Sequence, residues 1–164
     1  MAVVKMKFHY RLKQSVNYVT KERGEDDIKS AVNCDFERAA EEMQSVKVEH
    51  GKTDGRQILE LIQSFPPKER DAKTPEEFHE LARNFVETTF PGFQAVLRTH
   101  TDKGHIHTHI RINTIHPSTG VRIANERQWG QLFGPPKDKA AMSFPENAAF
   151  AEVYKKTKGR DTYK

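Results

Sequence analysis

At 164 residues the chain fits one domain, long enough to bury a hydrophobic core without disulfide or metal staples. No apolar run approaches the roughly 18 residues of a membrane span, and MAVVKMKFHY at the start has no stretch of signal-peptide length, so the expectation is a soluble, intracellular protein. The formal net charge of +4 and the pI near 9.1 suit a nucleic-acid partner without identifying one.

Cys34 is the single cysteine, which excludes an intrachain disulfide and a cysteine-based zinc cluster. In chain order, Val3 to Tyr10 reads as a strand, Ser15 to Lys21 as one or two helical turns, and Arg23 to Asp27 as a polar loop. Asp35 is placed to cap a helix running to about His50, with Phe36, Ala39, Ala40 and Met43 on one face. After the turn cluster Gly51 to Gly55, Ile58 to Phe65 reads as a buried strand ended by Pro66-Pro67.

The next helix carries the clearest signals. Thr74 is its cap, Pro75 its first residue, and Glu76 and Glu77 fill the first turn. Phe78, Leu81, Ala82, Phe85 and Val86 form one apolar stripe, and Pro91-Gly92 ends it. Strands follow at Phe93 to Thr99 and His105 to Thr114, joined across Thr101 to Gly104 as an antiparallel hairpin. A turn at Pro117 to Gly120 leads to a short strand at Val121 to Ala124. Beyond it come a short helix at Asn125 to Leu132, a proline-containing loop, a helix at Glu146 to Lys156 and a basic tail. The order of elements predicts an α+β fold, with helices on one face of a mostly antiparallel sheet.

Five of the eight histidines fall between His100 and His116. On a strand, alternate side chains share a face, so His105, His107, His109, Arg111 and Asn113 project one way, and Ile106, Thr108, Ile110 and Ile112 the other. Residues two apart on a strand lie roughly 6.5–7 Å apart, close enough for two leaning imidazoles to share one ion. His100, at the end of the neighbouring strand, supplies a third ligand. His100, His107 and His109 thus make a three-histidine metal site with open positions, with His105 contacting substrate or a ligand and Asp102 orienting a histidine or accepting a proton.

The run from His100 through Gly104-His105-Ile106-His107-Thr108-His109, followed by Asn113 and Ile115-His116-Pro117, closely resembles the third motif of plasmid relaxases of the HUH endonuclease superfamily, P-type mobilisation class. Ser15-Val16-Asn17-Tyr18-Val19-Thr20 is similar to the family's N-terminal tyrosine motif, and Ser64-Phe65 resembles its middle motif. Together the three span Tyr18 to Pro117 in the family's order. The resemblance implies a central, mostly antiparallel five-stranded sheet flanked by helices, with the histidine pair on a central strand.

It also implies chemistry. Tyr18 becomes the nucleophile, cutting single-stranded DNA at an origin of transfer to give a 5′-phosphotyrosine and a free 3′-hydroxyl, with Asp102 or His105 assisting proton transfer. A free tyrosine hydroxyl titrates near pH 10, so such a nucleophile needs a base or a cation nearby. A divalent ion (Mn²⁺, Mg²⁺ or Zn²⁺) sits at the histidines, which favour a transition metal. Ser64, Arg98, Arg111, Asn113, Lys21 and Arg23 are the candidate DNA contacts; Lys5, Lys7, Arg11 and Lys13 extend a cationic groove around Tyr18. Trp129, Phe133 and Phe144 are assigned to core packing before base stacking. The implied setting is the bacterial cytoplasm, with relaxosome accessory proteins, a type IV secretion coupling protein and export with the DNA; the domain is expected to be the N-terminal part of a longer protein. Two rivals make different use of the same residues. A rolling-circle replication initiator would attack with a later tyrosine, Tyr154, and a metal-binding protein would leave DNA uncut.

Overall fold

The computed structural model describes residues 3–21, 24, 26–65, 71–101 and 106–123. Its elements run β1 (Val3–His9), α1 (Leu12–Thr20), β2 (Ile28–Val32), α2 (Ala39–Glu49), β3 (Ile58–Ser64), α3 (Pro75–Thr89), β4 (Ala95–His100) and β5 (His107–Asn113). The five strands form one sheet in the order β1-β3-β5-β4-β2, every neighbouring pair antiparallel. The expected α+β architecture is the one found, and β5, with its alternating histidines, occupies the centre.

The two faces of the sheet are covered differently. Met6, Phe8, Leu59, Leu61, Leu97, Ile110 and Ile112 point to the face on which α3 lays Ala82, Phe85 and Val86. The opposite face takes α1 and α2, through Leu12, Val16, Val19, Ala39 and Met43 packed on Ile58 and Val96. Helices therefore flank both faces, not one as the element order predicted. The reason is local: the α1 and α2 stripes pair with the parity of β3 and β4 that carries Ile58 and Val96, and the α3 stripe with the other parity.

The Thr74 capping box is formed, its hydroxyl accepting from Glu77 N and the Glu77 carboxylate accepting from Thr74 N. Of the predicted α3 stripe, Phe78, Ala82, Phe85 and Val86 are buried, Leu81 is half-buried, and His79 is buried alongside them. Asp35 does not cap α2. Its carboxylate accepts from Glu37 N and Arg38 N in a turn, and the helix begins at Ala39. Helix α1 begins at Leu12, three residues before the expected start.

The fifth strand is β2, in the segment IKSAV whose weak alternation left it unassigned. Of the strand expected at Val121 to Ala124, Arg122 makes an isolated bridge with Ile115. The helices expected at Asn125 to Leu132 and Glu146 to Lys156 lie outside the described residues, as do Trp129, Phe133, Phe144 and Tyr154. No helix among the described residues is long and apolar enough to cross a membrane.

Candidate active site

Strand pairing sets three histidines in one corner of the α1 face. His107 pairs with His100 on β4 and with Ser64 on β3, and His109 pairs with Arg98 and Ile62. The rings of His100 and His109 stand edge to face with centroids 4.8 Å apart. One register step further along the same face, Arg111 pairs with Glu60.

Helix α1 brings the tyrosine. Leu12, Val16 and Val19 are buried beneath it, each contributing roughly 1.5–3 kcal/mol by leaving water, and together they fix how the helix is rotated. Tyr18 then falls on the flank facing the histidines, 43% exposed. Its ring centroid lies 5.9 Å from that of His109, and the Arg111 guanidinium carbon lies 5.3 Å from the Tyr18 centroid, within cation–π range. Tyrosine, imidazole and guanidinium thus meet from α1 and β5.

Asp27 is a site residue that the sequence reading missed. Its side chain is 4% exposed, and one oxygen, Oδ2, accepts from both Arg98 Nη1 at 3.3 Å and His100 Nδ1 at 3.0 Å. A carboxylate only accepts, so Nδ1 of His100 carries the hydrogen of this contact. Asp27 lies in a polar loop, and nothing in its spacing announces this role. Glu60, also missed, had a signal: it shares the parity of Ser64 on β3. It binds Arg111 Nη2 at 2.8 Å and approaches His9 Nε2 at 3.2 Å. Burial would raise its carboxyl; contact with His9 and the charge of Arg111 outweigh that and hold it below the usual carboxylate range.

The expected DNA contacts separate. Ser64 is half-buried and pairs with His107, and Lys21 is exposed at the C-terminal end of α1. Arg98 is buried, donating from Nε to Val19 O and from Nη1 to Asp27, so it ties α1 and the Asp27 loop to β4. Asn113 is fully buried, donating to Met43 O and Gln94 Oε1. Neither Arg98 nor Asn113 displays its side chain on the surface. Arg111 is buried under Tyr18. Arg23, Asp102 and His105 lie outside the described residues.

The expected metal-ligand set is only partly assembled. Among the described residues, no three histidine, cysteine, aspartate or glutamate side chains converge on one point. The donor chemistry nevertheless fits a divalent transition metal. Burial, then the charges of His100, Arg111 and His107, pulls His109 down to about 4, leaving the neutral imidazole that can ligate. His109 Nδ1 is buried without a hydrogen-bond partner among the described residues. Asp27 orients His100 as the outer partner of a ligating imidazole would. The register sets His107 opposite His100, with His109 two positions further along the same strand face.

Residues 10–134 match the family described as "Relaxase: MobA/VirD2-like, nuclease domain". The chain belongs to that family. It is 36% identical over 128 residues to "Protein rlx" of Staphylococcus aureus, covering 78% of this chain and 37% of that protein. A further Staphylococcus aureus "Protein rlx" is 31% identical over 153 residues, 91% of this chain and 46% of that protein. "Group II intron-interrupted relaxase LtrB" of Lactococcus lactis subsp. cremoris (strain MG1363) is 44% identical over 80 residues, 48% of this chain and 13% of that protein. The chain therefore spans less than half the length of these relatives. A solved structure described as "Molecular Basis of Vancomycin Resistance Transfer in Staphylococcus aureus" is similar at a TM-score of 0.56 and 15% identity, covering 99% of this chain and 96% of that chain, which supports the fold alone.

Proposed function

We propose that this relaxase-family domain nicks single-stranded DNA at an origin of transfer, with Tyr18 as the nucleophile. The observation that carries the reading is the meeting of Tyr18 with His109 and Arg111 on the face that also holds His100 and His107. Tyr18 Oη attacks the phosphorus as the bond to the 3′-oxygen breaks. The products are a 5′-phosphotyrosine and a free 3′-hydroxyl; the tyrosine proton leaves to a base or to solvent, and the departing 3′-oxygen takes up a proton in exchange. One phosphodiester replaces another, so the strand remains rejoinable. Arg111 lies beneath the Tyr18 ring, where its charge opposes the negative charge gathering on the tyrosine oxygen and phosphate.

His100, His107 and His109 are the residues that would hold a divalent ion, which when bound supplies Lewis-acid stabilisation of the phosphate oxygens. Asp27 holds the His100 ring, and Arg98 holds Asp27. Ser64 and Lys21 are the edge contacts for the strand. Arg23, Asp102 and His105 keep their proposed roles in DNA contact and proton transfer from sequence alone. The broader setting carried by the family resemblance is the bacterial cytoplasm, with relaxosome accessory proteins and a secretion coupling protein acting on a longer protein.

The test is incubation with end-labelled single-stranded origin oligonucleotides and Mn²⁺ or Mg²⁺, read as a covalent protein–DNA adduct on a denaturing gel. A metal-dependent adduct lost in Tyr18→Phe is the expected result. An adduct that survives Tyr18→Phe moves the nucleophile elsewhere, to Tyr154 first. Metal binding without any adduct returns the protein to the non-nicking class.

A further inference from the structure

A chain of contacts runs beneath the tyrosine through His9 at the end of β1, Glu60 on β3, Arg111 on β5 and Tyr18 on α1. Strand β3 lies between β1 and β5, so the Glu60 carboxylate is reached from both neighbouring strands. Its oxygens are divided between them. Oε1 accepts from Arg111 Nη2 at 2.8 Å, and His9 Nε2 approaches Oε2 at 3.2 Å. Arg111 is 2% exposed, and its guanidinium carbon lies 5.3 Å from the Tyr18 ring centroid. Its Nη1 donates to Ile110 O, the carbonyl of the preceding residue, at a longer 3.3 Å, and its Nε has no hydrogen-bond partner among the described residues. The Glu60 contact is therefore the short, charge-assisted one that holds the fork.

A carboxylate near a nucleophilic tyrosine opposes the negative charge that gathers on the tyrosine oxygen, so Glu60 gives that charge no direct help. What it offers is geometry. A long arginine side chain left unclamped beside DNA turns to the nearest phosphate. We infer that Glu60 is a positioning residue: it clamps the Arg111 guanidinium under the Tyr18 ring and through it holds Tyr18 at the angle of attack, with His9 steadying the clamp from β1. The inference rests on the DNA-nicking reading above, and it gives Glu60 a part in the chemical step, not in strand binding. A guanidinium suits the task, because its planar fork leaves one face for the ring while an in-plane N–H meets the carboxylate. Burial would raise the Glu60 carboxyl, but His9 and Arg111 hold it below the usual carboxylate range, so the clamp stays charged.

The test follows single-turnover adduct formation with Mn²⁺ against the concentration of an end-labelled single-stranded origin oligonucleotide, which separates the maximal rate from the half-saturating concentration. Glu60→Gln is expected to lower the maximal rate roughly 10–100-fold, the scale of a small misplacement of the reacting group, and to leave half-saturation in place. In an Arg111→Met background the same change is expected to cost nothing further, because both residues act through one contact. That doubly changed protein buries neither charge, so no uncompensated ion weakens its fold. Glu60→Asp keeps Arg111 compensated and draws the carboxylate back by one methylene; it is expected to show a smaller loss that also disappears with Arg111→Met. A second readout needs no metal. In protein carrying ¹³C-labelled tyrosine, the ring signals absent from Tyr18→Phe are expected to move in Glu60→Gln and in Arg111→Met to a common position. A Glu60→Gln protein that nicks at the wild-type rate, or loses the same factor with and without Arg111, overturns the clamp and leaves the nicking reading standing. Tyr18 ring signals that stay in place in Glu60→Gln do the same. A wild type that forms no adduct overturns both.

Discussion

Asp27 joins the two halves of the site through a single oxygen atom. That oxygen neutralises Arg98, whose guanidinium is buried at 1% exposure, and it fixes the tautomer of His100. Removing one member of a buried ion pair leaves the other charge uncompensated, which typically costs about 3–5 kcal/mol. Asp27→Ala is therefore expected to lose stability of that order, read as a shift of the urea midpoint. The more conservative Asp27→Asn keeps the shape, and calorimetric titration with Mn²⁺ is expected to show roughly 10–100-fold weaker binding, the usual cost of losing an outer partner of a ligating histidine. Unaltered Mn²⁺ affinity would remove Asp27 from the metal reading and leave it a purely structural partner of Arg98.

Helix α3 and the β4–β5 hairpin are joined by a polar chain on the face away from the tyrosine. His79 Nε2 meets Ser30 Oγ at 2.7 Å, His79 Nδ1 meets Thr99 Oγ1 at 2.7 Å, and Thr99 meets Thr108 at 2.7 Å. Thr99 and Thr108 are the neighbours in sequence of His100, His107 and His109, so this chain braces the strands that carry the site. Burial, then the charge of Arg83, lowers His79 from the ordinary 6.5 to about 4. Between those values the unfolded chain holds a proton that the folded protein refuses, so stability falls as the pH drops from 6.5 towards 4. His109 acts in the same window, so the His79 share is the difference between wild type and His79→Gln. Urea unfolding at pH 7 and pH 4.5 is expected to show a smaller acid loss in the variant, by on the order of 1–3 kcal/mol. Equal losses in both proteins would mean that His79 takes up its proton without disturbing the fold.

Across the whole molecule a further buried base extends the trend to alkaline pH. Lys47, on α2, is fully buried and donates to Gln57 O at 2.9 Å and Thr114 Oγ1 at 3.1 Å, both neutral partners. Burial, with the charge of Arg122 adding to it, lowers its amine from 10.5 to about 7. From pH 7 to about 10 the unfolded chain binds the extra proton, so stability rises with pH across that window. Lys47→Met is expected to flatten this rise, seen as equal urea midpoints at pH 7 and pH 9. A rise of the same size in the variant would assign the pH dependence to other groups.

Much of this molecule is written in short-range pattern. The Thr74 capping box, the α3 stripe and the His107–His109 alternation depend on spacing within one element, and periodicity alone exposes them. The hairpin register that sets His100 opposite His107 follows from two strands joined by a short connection. Tyr18 stood out through its resemblance to a motif, and its nearness to His109 had to wait for α1 to be rotated by Leu12, Val16 and Val19. Glu60 was half legible, through parity with Ser64. Asp27, β2 and the burial of Arg98 and Asn113 were not legible, because each depends on contacts between residues far apart in the chain. The sequence by itself therefore determined the elements whose pattern is local, the imidazole-bearing face and the family. Only the tertiary structure decided which carboxylate faces which cation, since charge pairing across a sheet is fixed by strand order and helix rotation, and neither is a property of any local window.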